Sequence, residues 1–156
     1  MHGLRRLILA AAMGGSAAAA GGPPEAPAPY GFVVEVQLSA KAAAKLAAVG
    51  ETVEVLAYYS GDPAPSALKH ADQMNQINLG HETVEISGAG GPAVFTGRAI
   101  RRERTAWLAR PDPDVDVNVQ SLGHNQNRLD CEIFEGKLSL ARRAPVALHC
   151  KLVGEP

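Results

Sequence analysis

The chain has 156 residues, a formal net charge of −1 and 46% hydrophobic residues, and only 4% of its residues are aromatic. This length allows one domain with its own core, which must be built mainly from Val, Leu, Ile and Ala. Without an excess of basic residues the chain lacks the electrostatic footprint of a nucleic-acid-binding protein, so we expect no nucleic-acid partner.

The N-terminal region has the pattern of a secretory signal peptide. Arg5 and Arg6 precede an apolar run, 7–13, and a tract of small residues that ends at Ala20. The apolar run is shorter than the roughly 20 residues that span a bilayer, and no later segment is longer. We therefore expect cleavage near Ala20, with Ala26-Pro27-Ala28 as a second possible site, and no transmembrane segment in the mature protein.

Cleavage at this point changes the charge and leaves a short linker. It removes two of the 15 basic residues and none of the 16 acidic ones, which leaves a formal net charge of −3. Residues 21–29 are rich in Pro, Gly and Ala, a composition that predicts a disordered lead-in. The sequence thus divides into a signal peptide at 1–20, the lead-in at 21–29 and a single domain at 30–156, exported to the periplasm or beyond.

The first half of the domain shows a strand, a helix and a second strand. Apolar and polar residues alternate over 34–38, which indicates a strand with one buried face. Ser39 can cap a short helix over 40–49, and Gly50 can end it. Residues 52–59 lack clean alternation, so we expect a central strand buried on both faces.

Short strands separated by Gly and Pro dominate the remainder. Segment 60–82 is polar and rich in amides, with no clear secondary structure. Strands are predicted at 83–87, 93–96, 105–109, 115–119, 129–134, 138–140 and 146–153, with a turn at Gly136. This spacing predicts an all-β fold, an antiparallel β-sandwich of the immunoglobulin-like or transthyretin-like type, with one short helix after the first strand.

Cys131 and Cys150 are the only cysteines. An exported protein with one pair of cysteines is expected to hold a disulfide, and both residues fall on the apolar phase of a strand. We expect both sulfur atoms to point into the core. Two buried free thiols are the alternative.

One local pattern consists of Val34, Val36, Leu38, Ser39, Ala40, 42–46, 50–53, Val55 and Ala57. This pattern resembles small exported bacterial β-sandwich proteins. It is similar to the periplasmic domain that ends one cytochrome c maturation protein. The resemblance implies a strand, a short Ala-rich helical turn and a second strand, and it carries over no catalytic or ligand-binding residue.

Histidines offer one candidate site. His70, Asp72 and His81 lie in or beside the polar segment, where a loop can bring imidazole and carboxylate groups together around zinc or copper. None of them has the spacing of a known metal motif, and exposed loop residues are the alternative. We expect no other cofactor.

Arginines offer a second candidate site, for an acidic partner. Arg98, Arg101, Arg102 and Arg104 form the main basic concentration, and acidic residues follow at 112–116. Either the two groups pair within the molecule or the arginines bind an acidic partner or an anionic surface.

These features favour a non-enzymatic exported protein that binds a protein partner. The contact would use an edge strand or the polar segment 60–82. A metal-binding or small-ligand-binding protein that uses the loop histidines is the alternative. A hydrolase is the third hypothesis, although no serine stands in a GxSxG frame.

Overall fold

A computed structural model describes residues 29–123 and 126–156. The predicted signal peptide and residues 21–28 of the predicted lead-in lie outside the described residues. Within the described ranges, no helix is long and apolar enough to cross a membrane.

The described residues contain strands, two α-helices and two 3₁₀ helices, which are β1 (Phe32–Leu38), α1 (Ala40–Val49), β2 (Thr52–Ser60), a 3₁₀ helix (Pro65–His70), β3 (Gly80–Ile86), β4 (Gly91–Phe95), a 3₁₀ helix (Arg102–Trp107), β5 (Asp114–Leu122), β6 (Leu129–Cys131), β7 (Phe134–Lys137), α2 (Leu138–Ala141) and β8 (Val146–Leu152). These eight strands form two four-stranded sheets. The first sheet has the order β4-β1-β8-β6 and the second has the order β3-β2-β5-β7. Apart from one pair, neighbouring strands in both sheets are antiparallel.

The predicted helix after the first strand is confirmed. The Ser39 hydroxyl accepts a hydrogen bond from the backbone N–H of Ala42 at 3.0 Å, which caps the first turn. Gly50 ends the helix with φ of 70°, a conformation that costs glycine little. Ala42 and Leu46 are fully buried, so the helix covers the core with the face that the sequence indicates.

The core lies where inward-facing residues of both sheets meet. Val34 and Val36 of the first sheet and Val55 and Val117 of the second belong to one hydrophobic cluster. β2 alternates between buried and partly exposed positions along its length. The prediction that residues 52–59 are buried on both faces is therefore wrong, because the outer face of β2, which carries Glu54, is partly exposed.

The predicted antiparallel arrangement is confirmed for most strand pairs, with one exception. β1 and β8 are parallel, with Val34 opposite Val146 and Val36 opposite Leu148. A parallel pair requires a long connection, and here the whole second sheet lies between the two strands in sequence. Alternation of apolar and polar residues shows which face of a strand is buried and contains no information about its direction.

Two predicted strands are helical. Residues 105–109 overlap the 3₁₀ helix Arg102–Trp107, and residues 138–140 belong to α2. In α2, Leu138 and Ala141 are both buried, and a spacing of three residues places both on one helical face. Short apolar runs do not distinguish a strand from a helix by periodicity alone, which explains both errors.

The predicted strand 129–134 is divided between the sheets. Its first part is β6 in the first sheet and its last residue begins β7 in the second sheet. Gly136 lies within β7 opposite Val115, so the prediction of a turn there is wrong.

The predicted disulfide is confirmed. Cys131 of β6 stands directly opposite Cys150 of β8, and their sulfur atoms are bonded. Cys150 is 3% exposed. Cys131 is partly buried, because β6 is an edge strand, and it packs against the core cluster that contains Cys150.

Replacing both cysteines by serine should lower the free energy of unfolding by about 3 kcal/mol, because the bond closes a loop in the unfolded chain. Urea denaturation of the oxidised protein and of the Cys131→Ser/Cys150→Ser variant measures the difference. Wild-type protein under reducing conditions is the control and should show a similar loss. An unchanged denaturation midpoint would contradict a stabilising role.

A buried ion pair closes one end of the second sheet. The Arg128 Nε–H donates to both carboxylate oxygens of Glu51, at 2.9 and 3.0 Å. The Glu51 side chain is 2% exposed and that of Arg128 is 34% exposed. A Cβ atom at position 123 would collide with the Glu51 side chain, so Gly123 leaves the space that the carboxylate occupies.

Arg128→Met should destabilise the protein by about 2 kcal/mol, because it leaves the buried carboxylate of Glu51 unpaired. This value is below that of a fully buried pair, because the guanidinium is one third exposed. The double variant Glu51→Met/Arg128→Met should lose less than the single variant, since it removes both charges. Chemical denaturation of the two single variants and the double variant measures the coupling, and additive losses would contradict it.

Candidate binding surface

Two long connections meet at one end of the second sheet. The antiparallel register of β2 with β3 and β5 brings Ser60, Gly80 and Asp114 to this end. Residues 61–79 join β2 to β3 at this end. Residues 97–110 lead from β4 of the first sheet back to β5 of the second sheet. We call these two segments together the composite loop.

Backbone hydrogen bonds hold the two segments of the composite loop together. The Ala64 N–H donates to the Trp107 carbonyl at 2.7 Å, and the Ala109 N–H donates to the Asp62 carbonyl at 2.8 Å. The Arg101 N–H donates to the Leu79 carbonyl at 2.8 Å. The polar segment is therefore attached along its length to the segment that carries the arginines.

Side chains reinforce this attachment. The His70 and Trp107 rings are stacked, with centroids 3.9 Å apart and planes at 4°. The Arg104 guanidinium donates to the Asn78 carbonyl at 2.9 Å. Beneath this surface, Ile77 and Ile100 are buried in the core cluster, so the composite loop has an ordered apolar base.

Glu82 anchors the composite loop to both sheets. Its Oε1 accepts hydrogen bonds from the Thr96 N–H at 3.0 Å and the Thr96 hydroxyl at 2.7 Å. Its Oε2 accepts from the Gly97 N–H at 2.9 Å and the Tyr59 hydroxyl at 3.1 Å. Glu82 belongs to the second sheet, whereas Thr96 and Gly97 follow β4 of the first sheet, so one carboxylate joins the two.

Burial and hydrogen bonding act in opposite directions on Glu82. Burial raises the pKa of its carboxyl, but the hydrogen bonds from Thr96, Gly97 and Tyr59 outweigh burial and hold the pKa below its ordinary value. Burial, and then the neighbouring carboxylate of Glu82, raise the pKa of Tyr59 far above its usual range. At neutral pH the pair is therefore a carboxylate that accepts from a neutral phenol.

The four arginines of the predicted basic patch lie on the second segment of the composite loop. Arg98, Arg101 and Arg102 are exposed and Arg104 is partly exposed. Among the described residues, the ion pairs of the molecule include none of these four side chains. One acidic residue, the exposed Glu103, lies between them, so the segment keeps a local excess of positive charge.

The acidic residues that follow the basic patch contact other parts of the molecule. Asp112 accepts hydrogen bonds from Ser139, and Asp114 forms an ion pair with Lys137 at 2.7 Å. The nearby Arg110 forms an ion pair with the carboxylate of Asp62 at 3.4 Å. The described structure thus does not contain the pairing of residues 112–116 with the four arginines that the sequence left open.

Exposed apolar side chains belong to the same surface. Leu68 is 55% exposed and Met74 is 82% exposed, and both lie on the first segment of the composite loop. Trp107 is partly buried between the two segments. Aromatic, Met and Arg side chains are the types enriched at protein interfaces. Sequence periodicity does not reveal this surface, because its parts come from two segments that only the fold brings together.

The three residues of the predicted metal site are engaged in separate contacts. His70 stacks on Trp107, and the Asp72 Oδ1 accepts from the backbone N–H groups of Met74 and Gln76. His81 lies beside Tyr58, with ring centroids 5.7 Å apart. Within 29–123 and 126–156, no group of three His, Cys, Asp or Glu side chains is placed to hold a metal ion. The metal site stays a prediction.

An open cavity of about 560 Å³ adjoins the disulfide. Two carboxylates in its lining are already bound within the molecule. The Glu132 carboxylate lies 2.8 Å from His149 Nδ1, and that of Glu155 accepts from the Ser39 hydroxyl at 2.8 Å. Asp130 and Lys151 also belong to the lining, so charges of both signs surround this cavity.

Comparisons of the chain with protein-family models, with curated proteins and with solved structures found no match. The resemblance to exported bacterial β-sandwich proteins therefore stays a prediction.

Glu82→Gln should lower the melting temperature at pH 7, because an amide cannot accept all four hydrogen bonds. The wild-type pKa is lowered, so this stability is present above the ordinary pKa of glutamate, about 4.3, and is lost as pH falls through the lowered folded-state pKa. The difference between the variant and wild type should therefore shrink towards pH 3.

Thermal melts by circular dichroism between pH 3 and 7 measure this difference. Glu103→Gln removes an exposed carboxylate of the composite loop and is the matched control, which should change the melting temperature little at any pH. A difference for Glu82→Gln that stays constant with pH would contradict the role of the carboxylate.

Proposed function

We propose that this protein is an exported, non-enzymatic binding module that recognises an acidic segment of a protein partner through the composite loop. The observation that carries this proposal is the set of arginines at 98, 101, 102 and 104, which lie on an ordered base outside the ion pairs of the described residues. A fixed guanidinium without a partner carboxylate is available to a carboxylate from another molecule.

Export is supported by two independent features. The N-terminal sequence has the charged, apolar and small-residue parts of a signal peptide, and the folded region contains a disulfide. Disulfides persist in oxidising compartments such as the periplasm. We therefore propose that the mature protein is in the periplasm or outside the cell.

The two sheets support the proposal of a β-sandwich. Inward-facing residues of both sheets form one cluster, as two packed layers require. We keep the immunoglobulin-like or transthyretin-like type as part of this proposal. In either type, loops at the end of the sheets present the recognition surface on a rigid frame.

A protein partner explains the composition of the surface better than an anionic membrane or a nucleic acid. The arginines are accompanied by a stacked Trp107 and by exposed Leu68 and Met74, and such mixed surfaces provide the aromatic and Arg anchors of protein interfaces. The chain as a whole has a slightly negative charge, so non-specific attraction to polyanions is weak.

Binding of a fluorescein-labelled hexaglutamate peptide, measured by fluorescence anisotropy, tests the proposal. We expect affinity to fall as NaCl rises from 50 to 500 mM, because salt screens exposed charges. Arg101→Gln/Arg102→Gln should weaken binding about fivefold to tenfold, as expected for two exposed charge contacts. Lys41→Gln/Lys45→Gln removes two exposed charges from α1 and should leave binding nearly unchanged.

Equal losses in the two double variants would show that only net charge matters and would contradict a specific site. Anionic phosphatidylglycerol vesicles and a single-stranded oligonucleotide are the competing ligands. If either binds more tightly than hexaglutamate and loses affinity with Arg101→Gln/Arg102→Gln, the proposed class of partner is wrong.

A further inference from the structure

A cavity of about 340 Å³ lies beside the composite loop. Its apolar wall contains Tyr30, the rings of Pro111 and Pro113, and Leu138. This volume is at the lower end of the range for ligand pockets, which suits one large side chain.

Tyr30 makes the cavity continuous with the arginine segment. A Cβ atom at position 97 would collide with Tyr30 Cβ, so the backbone at Gly97 packs directly against Tyr30. The Arg102 guanidinium carbon lies 5.8 Å from the centroid of the Tyr30 ring. One aromatic residue is thus shared between the cavity and the basic patch.

The lining of the cavity carries one basic and one acidic side chain. Arg142 belongs to its lining, is exposed, and is absent from the ion pairs of the described residues. Asp112 also lines the cavity, but its oxygens accept from the Ser139 N–H at 3.2 Å and the Ser139 hydroxyl at 2.7 Å. Two guanidinium groups, that of Arg142 in the lining and that of Arg102 near the Tyr30 ring, are therefore available to an incoming carboxylate.

We propose that this cavity is the anchor site for the acidic partner. It takes an apolar side chain, best an aromatic one that can pack on Tyr30, while carboxylates that flank this side chain bind Arg102 and Arg142. This inference rests on the proposed function, because the cavity extends the same basic surface. It specifies the partner segment as acidic residues around a central aromatic residue.

The experiment compares two labelled peptides on the full-length mature protein. One is hexaglutamate and the other has a phenylalanine in place of its third glutamate. In the wild type we expect the phenylalanine peptide to bind about tenfold more tightly, because a buried aromatic side chain adds apolar contact in spite of one lost charge. Tyr30→Ala should remove this preference, because the phenylalanine side chain loses the ring on which it packs.

Arg142 and Arg143 offer a matched pair of variants. Both side chains are exposed and adjacent in sequence, but only Arg142 belongs to the cavity lining. Arg142→Gln should weaken the phenylalanine peptide about threefold or more, and Arg143→Gln should weaken it less than twofold. Because Arg142 lies at the surface, this comparison remains valid if Tyr30→Ala fails to fold.

The outcomes separate the two proposals. If hexaglutamate binds and depends on Arg101 and Arg102, but phenylalanine adds no affinity and Arg142→Gln behaves like Arg143→Gln, the cavity inference is overturned and the proposed function stands. If neither peptide binds the wild type, both are overturned.

Discussion

The hydrogen bonds that converge on the Glu82 carboxylate hold together the part of the molecule that presents its charges. An inward-pointing carboxylate on an edge strand is costly unless it is bonded, and Glu82 is bonded by groups from both sheets. Thr96 and Gly97 bind it where the second segment of the composite loop begins. Tyr59 binds it one residue before β2 ends and the polar segment follows. The starting points of both segments of the composite loop are therefore fixed by one side chain.

Charge is distributed unevenly over the described surface. Carboxylates along the outer face of the second sheet repel one another, and burial together with the neighbouring Glu135 and Asp114 raises the pKa of Asp116. The second segment of the composite loop precedes β5 in sequence. In the described residues its arginines at 98, 101, 102 and 104 form no ion pair with the carboxylates of this face. Because the two groups stay separate, the protein keeps a local positive patch in spite of its negative total charge. The proposed recognition of an acidic segment depends on that separation.

Much of the secondary structure follows from local pattern. Ser39 and Gly50 mark the ends of α1, and alternation marks β1, β3 and β5, because capping and burial act over a few residues. The disulfide was expected because the chain has two cysteines and both fall on apolar positions of alternating strands. The arginines were predicted as a candidate site, but whether residues 112–116 would neutralise them depends on distances in space. The composite loop was not predicted, because segment 60–82 has no periodicity and its bonds are to residues after β4.

The sequence by itself determined which face of most strands is buried, where the first helix begins and ends, and that two cysteines are available for a bond. Only the tertiary structure decided that β8 runs parallel to β1, that Leu138–Ala141 is helical, and that two distant loops form one surface. The physical reason is the distance along the chain over which each interaction acts. Side-chain alternation and capping are local, whereas strand direction, ion pairing and the hydrogen bonds of Glu82 join residues whose proximity exists only after the chain has folded.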